Sequence, residues 1–419
     1  MERISSDQMD QWGRFLGRPT WFSVDLDVIA SNFRDLKRIV GDSVKIAAVL
    51  KADAYGHGAP MVAETLLASG TDMLAVATLD EGLELRRFFP QAHILVMGYI
   101  PEDCAQQVVD AHISPTVFNL SLAHALSNAV AQSEQVVGTG RFTGEPLPIH
   151  IKLDTGMNRL GIKPYEDPVA VIENIASLPG LDIEGVFTHL ALRDERSDHI
   201  QFELFEEILA NCEKIGLKTG IHHVCDSIGT VRYPAFRLDM VRVGAALFGV
   251  RPYRMGPEYD EFRFPAAGTL VTHISRVRRL REGEMVSYDS SWKAPKGGTL
   301  IATLPVGYAD GYPRCFGNRA QVSVHSQGRV IRAPVVGLVC MDQTMVDVGG
   351  VPGVMEDDEV VLLGGGEIGL EEASAWGDTN RNELLCGIGR RVPRIYFSGG
   401  KAVAIDNRLS GSTLQRLQA

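Results

Sequence analysis

Apolar positions in the first part of the chain follow two alternating periods. Over residues 25–40, Asp25 can cap a helix whose apolar stripe includes Leu26 and Ile29, so a helix is predicted to open the fold. Short apolar runs then alternate with helix-length segments. The runs predict eight strands: Val44–Leu50, Met73–Ala77, His93–Gly98, Pro115–Phe118, Pro148–Leu153, Ile183–Thr188, Ile221–Val224 and Met240–Val243. Because parallel strands need long crossovers between them, the pattern predicts an α/β fold with a (β/α)8 TIM-type barrel.

From about residue 268 onward the pattern changes to β-rich segments separated by turn residues. They predict a mainly antiparallel β domain from Leu270–Arg279, Thr299–Pro305, Ala320–His325, Val330–Val339, Thr344–Val348 and Glu359–Leu363. The run Gly364–Gly366 is predicted to be a turn rather than a phosphate cradle. Because charged residues interrupt the apolar pattern near Arg254–Phe264, we predict a barrel domain of residues 1–260 and a β domain of residues 261–419.

The composition is that of an ordinary globular protein. Hydrophobic residues make up 45% of the 419 residues, which excludes disordered and fibrous classes. A formal net charge of -11 argues against a nucleic-acid partner or an acidic membrane surface, so a small-molecule ligand is predicted. No apolar run approaches the ~18 residues of a membrane span, and the polar start does not resemble a secretory signal. The six cysteines include no CxxC pair, so we predict reduced thiols in the core and a cytoplasmic protein.

The polar residues that interrupt the barrel pattern mostly stand just after predicted strands. They are Lys51 after the first strand, Lys152 and Arg159 around the fifth, His189 after the sixth, Asp226 and Ser227 after the seventh, and Arg242 with Gly244 at the eighth. Taken singly, each could be a surface charge or a loop cap. Because the carboxyl ends of barrel strands share one rim, where catalytic groups are found, their joint placement predicts an active site.

Lys51 is the most informative of these residues. It follows the apolar run Ile46–Leu50 and precedes a glycine-bearing loop that contains Tyr55. A lysine in a partly dry pocket has a lowered pKa, so its neutral amine can attack an aldehyde; the alternative is a lysine that extends into solvent at a strand end. Ser227, Tyr55 and the backbone of Gly244–Ala245 offer donors suited to a phosphate. Together these groups predict an aldehyde cofactor held at both ends.

The segment Ala48–Gly58 resembles the cofactor-lysine signature of the alanine racemase family. Further segments that resemble this family follow in order: Lys152–Gly161, Thr188–His189, Asp226–Ser227, Arg242–Gly244, Ser287–Tyr288, Gly307–Gly311, Cys340–Gln343 and Arg391–Arg394. The resemblance implies a pyridoxal 5'-phosphate enzyme that interconverts L- and D-alanine and supplies D-alanine for peptidoglycan. It also implies a homodimer whose active sites each borrow residues from the partner chain.

The resemblance assigns the two catalytic bases to Lys51 and Tyr288, on opposite faces of the substrate Cα. Lys51 binds the cofactor until the substrate replaces it, whereas Tyr288 comes from the β domain of the other subunit. A free tyrosine has a pKa of about 10, so its anion needs stabilisation. In the family a histidine matching His189 bridges this tyrosine and the arginine matching Arg242. The same arginine faces the cofactor ring nitrogen and, because it keeps its protons, limits side reactions.

The resemblance also implies the contacts of cofactor and substrate. The cofactor contacts are Lys51, Tyr55, Arg159, His189, Ser227, Arg242, Gly244, Ala245 and Arg390. Arg159 also binds the substrate carboxylate, together with Met341 and Tyr308. Lys152 lies in the same loop as Arg159 and would repel it as a cation. A carbamate on Lys152 is therefore predicted, and the alternative is an ordinary lysine with a bound anion or water.

Two departures from the family pattern bear on the substrate. Arg390 stands where many members have a tyrosine that helps bind the phosphate and lines the substrate entrance. Leu338 stands where an arginine is usual at the entrance. Because an extra cation changes the charge of the entrance, a racemase of serine, or of a broad range of amino acids, remains an alternative.

Three other classes of protein are weaker alternatives. A pyridoxal-phosphate-binding protein without racemase activity has a similar barrel but no second domain. A related decarboxylase would place a carboxylate where Arg242 stands. A metal hydrolase would use His189, His222 and His223, but their spacing is not that of metal ligands. Packing or polar-network roles are therefore predicted for these histidines, and no metal site.

Overall fold

The computed structural model describes residues 16–135, 145–250, 264–410 and 412–417. Within these ranges the chain forms two large sheets with helices between the strands. No helix in these ranges is both long and apolar enough to cross a membrane. The α-helices are Leu26–Val40, Ala59–Ala68, Leu79–Phe88, Ala105–Asp110, Leu120–Gln135, Pro168–Ala176, Glu195–Lys214, Ser227–Arg232, Leu370–Gly377 and Arg381–Cys386, and the segment Lys51–Tyr55 is a short left-handed turn.

The first large sheet is the predicted parallel barrel. Its eight strands, all within the described ranges, are Lys45–Val49, Met73–Val76, Ile94–Val96, Ser114–Val117, Leu147–Lys152, Leu181–Phe187, Ile221–His223 and Met240–Val243. The first strand also pairs with the eighth, where Lys45 lies opposite Met240. Between the seventh and eighth strands, the Asp239 N–H donates to the His222 carbonyl at 3.2 Å. All eight predicted strands are therefore confirmed, and the sheet is nearly closed into a barrel.

The predicted first helix is present over Leu26–Val40. The Asp25 carboxylate caps it by accepting from the N–H groups of Asp27 and Val28 at 3.0 and 3.1 Å. The prediction that this helix opens the fold is wrong, because the strand Thr20–Asp25 precedes it. The first five residues of that strand are buried, so the alternation of apolar and polar residues that marks a half-exposed strand is missing.

The second large sheet has eight strands among the described residues, and most of its pairings are antiparallel. It includes Thr20–Asp25, which pairs antiparallel with Gly268–His273 and parallel with Arg394–Ser398. Two smaller sheets complete this part of the chain. The strands after the barrel are Gly268–His273, Arg276–Leu280, Met285–Val286, Trp292–Lys293, Thr299–Leu304, Gln321–Ser326, Arg329–Pro334, Thr344–Asp347, Glu359–Gly364, Arg394–Ser398, Lys401–Asn407 and Ser412–Arg416. The mainly antiparallel β region is confirmed.

Two of its predicted runs differ from the structure. The run Leu270–Arg279 is divided at Ile274 into two strands that belong to different sheets. The run Val330–Val339 ends as a strand at Pro334, and beyond it the Val336 N–H donates to the Met345 carbonyl at 2.9 Å, on the strand Thr344–Asp347. The turn at Gly364–Gly366 is confirmed, since all three glycines have a positive φ.

The chain after Gly366 contains elements that the pattern did not predict. They include the helices Leu370–Gly377 and Arg381–Cys386, which have eight and six residues. A helix of about two turns shows too few repeats for its period to be recognised. The strands Arg394–Ser398 and Lys401–Asn407 follow them.

The predicted domain boundary between residues 260 and 261 lies outside the described residues, so the division into 1–260 and 261–419 stays a prediction. The strand Thr20–Asp25 belongs to the first segment by sequence but hydrogen-bonds within the sheet of the second. The two segments are therefore tied together by a strand near the start of the chain.

His325 gives the second sheet a pH-dependent contribution to stability. Its ring nitrogens lie 3.1 Å from Glu359 and 2.9 Å from Glu367, and these bonds raise the pKa of His325. A histidine whose pKa is higher in the folded than in the unfolded protein stabilises the folded state. This stabilisation is fully present below the unfolded pKa of about 6.5, and it is lost as the pH rises through the pKa of the folded protein. We therefore expect His325→Gln to lower the free energy of unfolding by about 1–2 kcal/mol more at about pH 6 than at about pH 8.5, as measured by urea unfolding. Equal losses at both pH values would contradict this.

Candidate active site

A cavity of about 660 Å³ opens at the carboxyl ends of the barrel strands. The predicted site residues that line it are Lys51, Tyr55, Lys152, Arg159, His189, Asp226, Ser227, Arg242, Gly244 and Ala245. Asn380, Arg381 and Asn382, from the later part of the chain, also line it. The rim therefore brings together residues that are nearly 200 positions apart, as the strand order predicted.

Lys51 stands at the start of a short helical turn directly after the first barrel strand. The four residues that follow it, Ala52–Tyr55, have φ values of 53, 56, 54 and 55°. This left-handed conformation costs a residue with a side chain about 1–2 kcal/mol, so the surroundings must hold the turn in place. Desolvation first, and the positive charge of Arg159 second, lower the pKa of Lys51. The neutral amine that attack on an aldehyde requires is therefore more available near neutral pH.

Small polar groups converge at another wall of the cavity. The Ser227 hydroxyl accepts from the N–H groups of Gly244 and Ala246 at 3.0 and 3.3 Å. A Cβ at position 244 would lie 2.5 Å from the Tyr55 hydroxyl oxygen, so only glycine lets this hydroxyl approach. Ala245 follows at the start of a short 3-10 helix, Ala245–Phe248. Two hydroxyls and a tight backbone turn thus form a corner that can accept a phosphate.

Arg242 is buried beside the cavity, and both terminal nitrogens of its guanidinium form hydrogen bonds. It donates to the carbonyls of Thr188 and Val224 at 2.8 and 2.9 Å, and to the His223 carbonyl and Nδ1, both at 2.9 Å. Burial lowers the pKa of Arg242 to about 10, so the group stays charged at neutral pH. His189 Nδ1 lies 3.4 Å from Arg242 Nη2. Burial and then the Arg242 charge hold the pKa of His189 well below its usual range, so its imidazole is neutral.

Lys152 is buried in the barrel interior. Its Nζ donates to the Leu153 carbonyl at 2.6 Å and lies 5.1 Å from the centre of the Phe187 ring. Burial first, and the positive charge of Arg242 second, hold the pKa of Lys152 well below its usual range. A buried neutral amine is the form of lysine that can react with carbon dioxide.

A chain of buried histidines behind Arg242 was not predicted as a unit. His223 Nε2 lies 2.9 Å from His150 Nδ1, and His150 Nε2 lies 3.1 Å from a Glu184 carboxylate oxygen. Because a guanidinium only donates, His223 accepts from Arg242, and each ring donates onward until the carboxylate accepts. The polar-network role of His223 is thus confirmed. The available signal was His150, which lies two positions before Lys152 on the same face of one strand.

Three predicted residues from the β region do not line this cavity. Tyr288, Tyr308 and Met341 are instead 65%, 40% and 52% exposed. Their segments are joined by hydrogen bonds: the Tyr308 N–H donates to the Cys340 carbonyl at 3.0 Å, and the Ser287 hydroxyl donates to the Leu338 carbonyl at 2.7 Å. The structure therefore gathers these three residues on the surface of the β region, which we call the Tyr288 surface.

Arg390 is also exposed and is not among the residues that line the cavity in the described part of the chain. The nearby residues that do line it, Asn380 to Asn382, were missed. The sequence contained an indication of these residues, because Asn380 lies three positions before Glu383, which is the spacing of a helix N-cap and its capping-box partner. The Asn380 side chain indeed accepts from the Glu383 N–H at 2.9 Å.

The fold and the cavity together define a class of protein. A parallel barrel has a lysine of lowered pKa and a phosphate-sized polar corner at its rim, and a β region follows it. These are the features of a barrel enzyme built for an aldehyde cofactor that carries a phosphate.

Comparison with known families identifies the particular member of this class. The family model of the alanine racemase N-terminal domain matches residues 24–252, and that of the alanine racemase C-terminal domain matches residues 267–396. The two matches cover most of the chain, which therefore belongs to the alanine racemase family.

Individual relatives agree with this. An alanine racemase of Desulforamulus reducens is 39% identical over 384 residues, which are 90% of this chain and 99% of the relative. A solved alanine racemase of Clostridium difficile has a TM-score of 0.85 at 33% identity, covering 93% of this chain and 99% of that chain. A Bartonella henselae alanine racemase with covalently bound pyridoxal phosphate has a TM-score of 0.78 at 27% identity, covering 90% of this chain and 99% of that chain. The predicted fold class, a barrel followed by a β region, is confirmed.

Proposed function

We propose that the protein is a pyridoxal-phosphate-dependent alanine racemase, an isomerase that interconverts L- and D-alanine. The observation that carries this proposal is the placement of Lys51 and the phosphate corner on the wall of one cavity, in a chain of this family. The relatives are named alanine racemases, and the Bartonella henselae structure holds pyridoxal phosphate covalently.

The residues present fit this cofactor. Lys51 would hold it covalently, and Tyr55, Ser227, Gly244 and Ala245 would bind its phosphate through two hydroxyls and backbone N–H groups. The missing Cβ of Gly244 leaves the room that the corner needs. In the same proposal Arg242, with His189 beside it, would bind near the ring nitrogen of the cofactor, and Arg159 would bind near its phenolic oxygen. The phosphate contact of Arg390 stays a prediction.

The side chains then supply two proton transfers. When bound, pyridoxal 5'-phosphate makes the α-proton of an attached amino acid acidic enough for a base to remove. Lys51 Nζ would exchange this proton on one face of the substrate Cα, and Tyr288 Oη would exchange it on the other. One base removes the proton and the other returns a proton from the opposite face, so the configuration inverts.

The environment of His189 and Arg242 supports this assignment. Because Arg242 keeps its positive charge, it can favour the Tyr288 phenolate through the neutral His189 ring. For the same reason Arg242 does not readily give a proton to the cofactor ring nitrogen, which should suppress side reactions.

Tyr288 would act in the partner subunit. In its own chain it lies on the Tyr288 surface, where three large side chains are exposed together. Exposed groups of this size mark interaction sites, and a homodimer could place each Tyr288 surface against the cavity of the other chain. Tyr308 and Met341 would then reach the substrate carboxylate together with Arg159.

A carbamate on Lys152 would give Arg159 an anionic neighbour. Protein labelled with ¹³CO₂ should show a carbamate signal in ¹³C NMR that disappears in Lys152→Ala. Loss of the anion should also raise KM about 10-fold, because Arg159 loses a charge-assisted partner. Lys163→Ala, at a neighbouring lysine paired with Asp154, is the control and should keep the signal. No signal in the unaltered protein would contradict the carbamate.

The test of the proposed function is a chiral assay of the purified protein against all common L-amino acids, with and without added pyridoxal 5'-phosphate. We expect alanine to be racemised fastest, and only in the presence of cofactor. A preference for serine, or for many amino acids alike, would favour the alternative raised by Arg390 and Leu338. If no amino acid is racemised and solvent deuterium enters none of them, the proposal fails.

The cellular role follows from the same proposal. A cytoplasmic enzyme of this kind would supply D-alanine for peptidoglycan. The six cysteines are all free, as expected for a reducing compartment, although Cys315 and Cys386 are exposed rather than buried.

A further inference from the structure

The turn that presents Lys51 is held by groups from two distant parts of the chain. The first group is Glu81, whose carboxylate accepts from the Ala52 N–H at 2.7 Å. The other oxygen of Glu81 accepts from the N–H groups of Ala77 and Thr78 at 2.8 and 3.2 Å. Glu81 thus ties the start of the left-handed turn to the end of the next barrel strand.

The middle of the turn is held from the end of the chain. Arg408 Nη2 donates to an Asp53 carboxylate oxygen at 2.6 Å, across 355 positions in sequence. The same Asp53 oxygen accepts from the Ala59 N–H at 2.9 Å, at the start of the next helix. Arg408 is in turn oriented by Asp406, whose carboxylate lies 3.3 Å from Arg408 Nε.

The end of the turn is held by a second arginine from the β region. Arg394 Nε donates to the Gly56 carbonyl at 3.1 Å. Three of the remaining four N–H groups of Arg394 donate to the carbonyls of Ile388, Gly389 and Val392 at 2.6 to 2.7 Å. Since Arg394 is buried and forms four hydrogen bonds, it restrains the segment that follows the turn.

The clamped segment is also in close contact with the β region. A Cβ at Gly58 would lie 1.8 Å from the Tyr396 hydroxyl oxygen, and Gly58 has a φ of 89°. Both the backbone conformation and the close approach therefore require glycine at this position. The segment after Lys51 is thus fixed against a neighbour that lies far away in sequence.

We propose that Arg408 is a positioning residue for Lys51, which it holds in register with the cavity through its ion pair with Asp53. The inference rests on the proposed function, because it concerns the residue that would bind the cofactor. Four consecutive left-handed residues do not keep this conformation unaided, and Asp53 is one of them. Arg408 is the most suitable residue to substitute in a test of this arrangement. Its side chain is 31% exposed, so its removal leaves no closed cavity.

The test compares Arg408→Ala with Arg416→Ala. Arg416 lies on the neighbouring strand and pairs with Glu64 at the surface, at 2.6 Å, away from the turn. In Arg408→Ala we expect covalent attachment of pyridoxal 5'-phosphate to Lys51 and kcat for alanine both to fall about 10-fold, with KM nearly unchanged, because misplacement of a reacting group is costly. Arg416→Ala should leave both unchanged, and Arg408→Lys should recover part of the loss.

A second measurement uses the cofactor-free protein. Amide hydrogen exchange over residues 52–58 should be faster in Arg408→Ala than in Arg416→Ala, because the turn opens more often without its ion pair. If Arg408→Ala does not fold, Asp53→Asn replaces it. Asparagine tolerates the left-handed conformation and can still cap the helix, but it lacks the charge, so the same losses in attachment and kcat are expected.

The outcomes separate this inference from the proposed function. If the unaltered protein attaches cofactor and racemises alanine while Arg408→Ala matches Arg416→Ala in attachment and kcat, the positioning role is refuted, whatever the unfolding temperatures. If the unaltered protein does neither, the proposed function itself fails. Combining Arg408→Ala with Asp53→Asn should add little to either single loss, and full additivity would refute action through their ion pair.

Discussion

Lys51→Ala should abolish both covalent cofactor binding and racemisation. The substitution removes the only atom that could bond to the aldehyde at this position and one of the two proposed bases. Turnover should therefore fall by at least about 10⁴-fold, the upper range of what one acid–base group contributes. The visible absorbance of the bound cofactor and the rate of alanine racemisation measure the two effects.

Lys45→Ala is the matched control for this prediction. Lys45 is an exposed lysine at the start of the same strand, at the opposite end from the cavity. It should keep both the cofactor absorbance and the activity. Retention of either property by Lys51→Ala would show that another residue binds the cofactor.

Tyr288→Phe should leave cofactor binding intact and slow racemisation in both directions by about 10²–10⁴-fold. The change removes only the hydroxyl, so the shape of the exposed ring is kept. The rates from both enantiomers should fall, because the missing hydroxyl would remove the α-proton in one direction of the reaction and return it in the other. Initial rates from L- and D-alanine measure the two directions separately.

Tyr165→Phe controls for the loss of a tyrosine hydroxyl. Tyr165 is 82% exposed and does not line the active-site cavity. It should show unaltered rates from both enantiomers. Rates in Tyr288→Phe equal to those of this control would exclude Tyr288 as the second base.

Mixing the two inactive variants tests whether the sites are shared between subunits. In a hybrid dimer of Lys51→Ala and Tyr288→Phe chains, one site would contain an intact lysine from one chain and an intact tyrosine from the other. Part of the activity should therefore return on mixing. Confirmed hybrids without activity would argue against a site built from both chains.

The barrel could be predicted from sequence because its signal is local. Each strand appears as a short apolar run, and several of these runs are followed by a polar residue at the carboxyl end, as at Lys51 and His189. Closing the sheet then places these ends on one rim, whatever the details of packing. The polar residues that the barrel contributes to the cavity lining were accordingly predicted, whereas its apolar lining residues, such as Met97 and Phe187, were not.

Other features of the structure have no pattern among neighbouring residues in the sequence that would predict them. The strand Thr20–Asp25 is buried on both faces, so it shows no alternation that would distinguish it from the approach to a helix. The histidine relay from Arg242 to Glu184 joins side chains of different strands, and neither residue indicates the other in sequence. Asn380 reached the cavity only because a short helix of the β region packs over the rim.

The sequence by itself determined the order of the barrel strands, the rim of polar residues and the chemistry of a lysine beside a phosphate corner. These follow from the period of apolar residues and from position at strand ends, which are properties of neighbouring residues. Only the tertiary structure decided that Arg408 and Arg394 hold the Lys51 turn. Ion pairs and hydrogen bonds across more than 300 positions depend on how distant segments pack. The period of apolar residues along the chain does not indicate this packing.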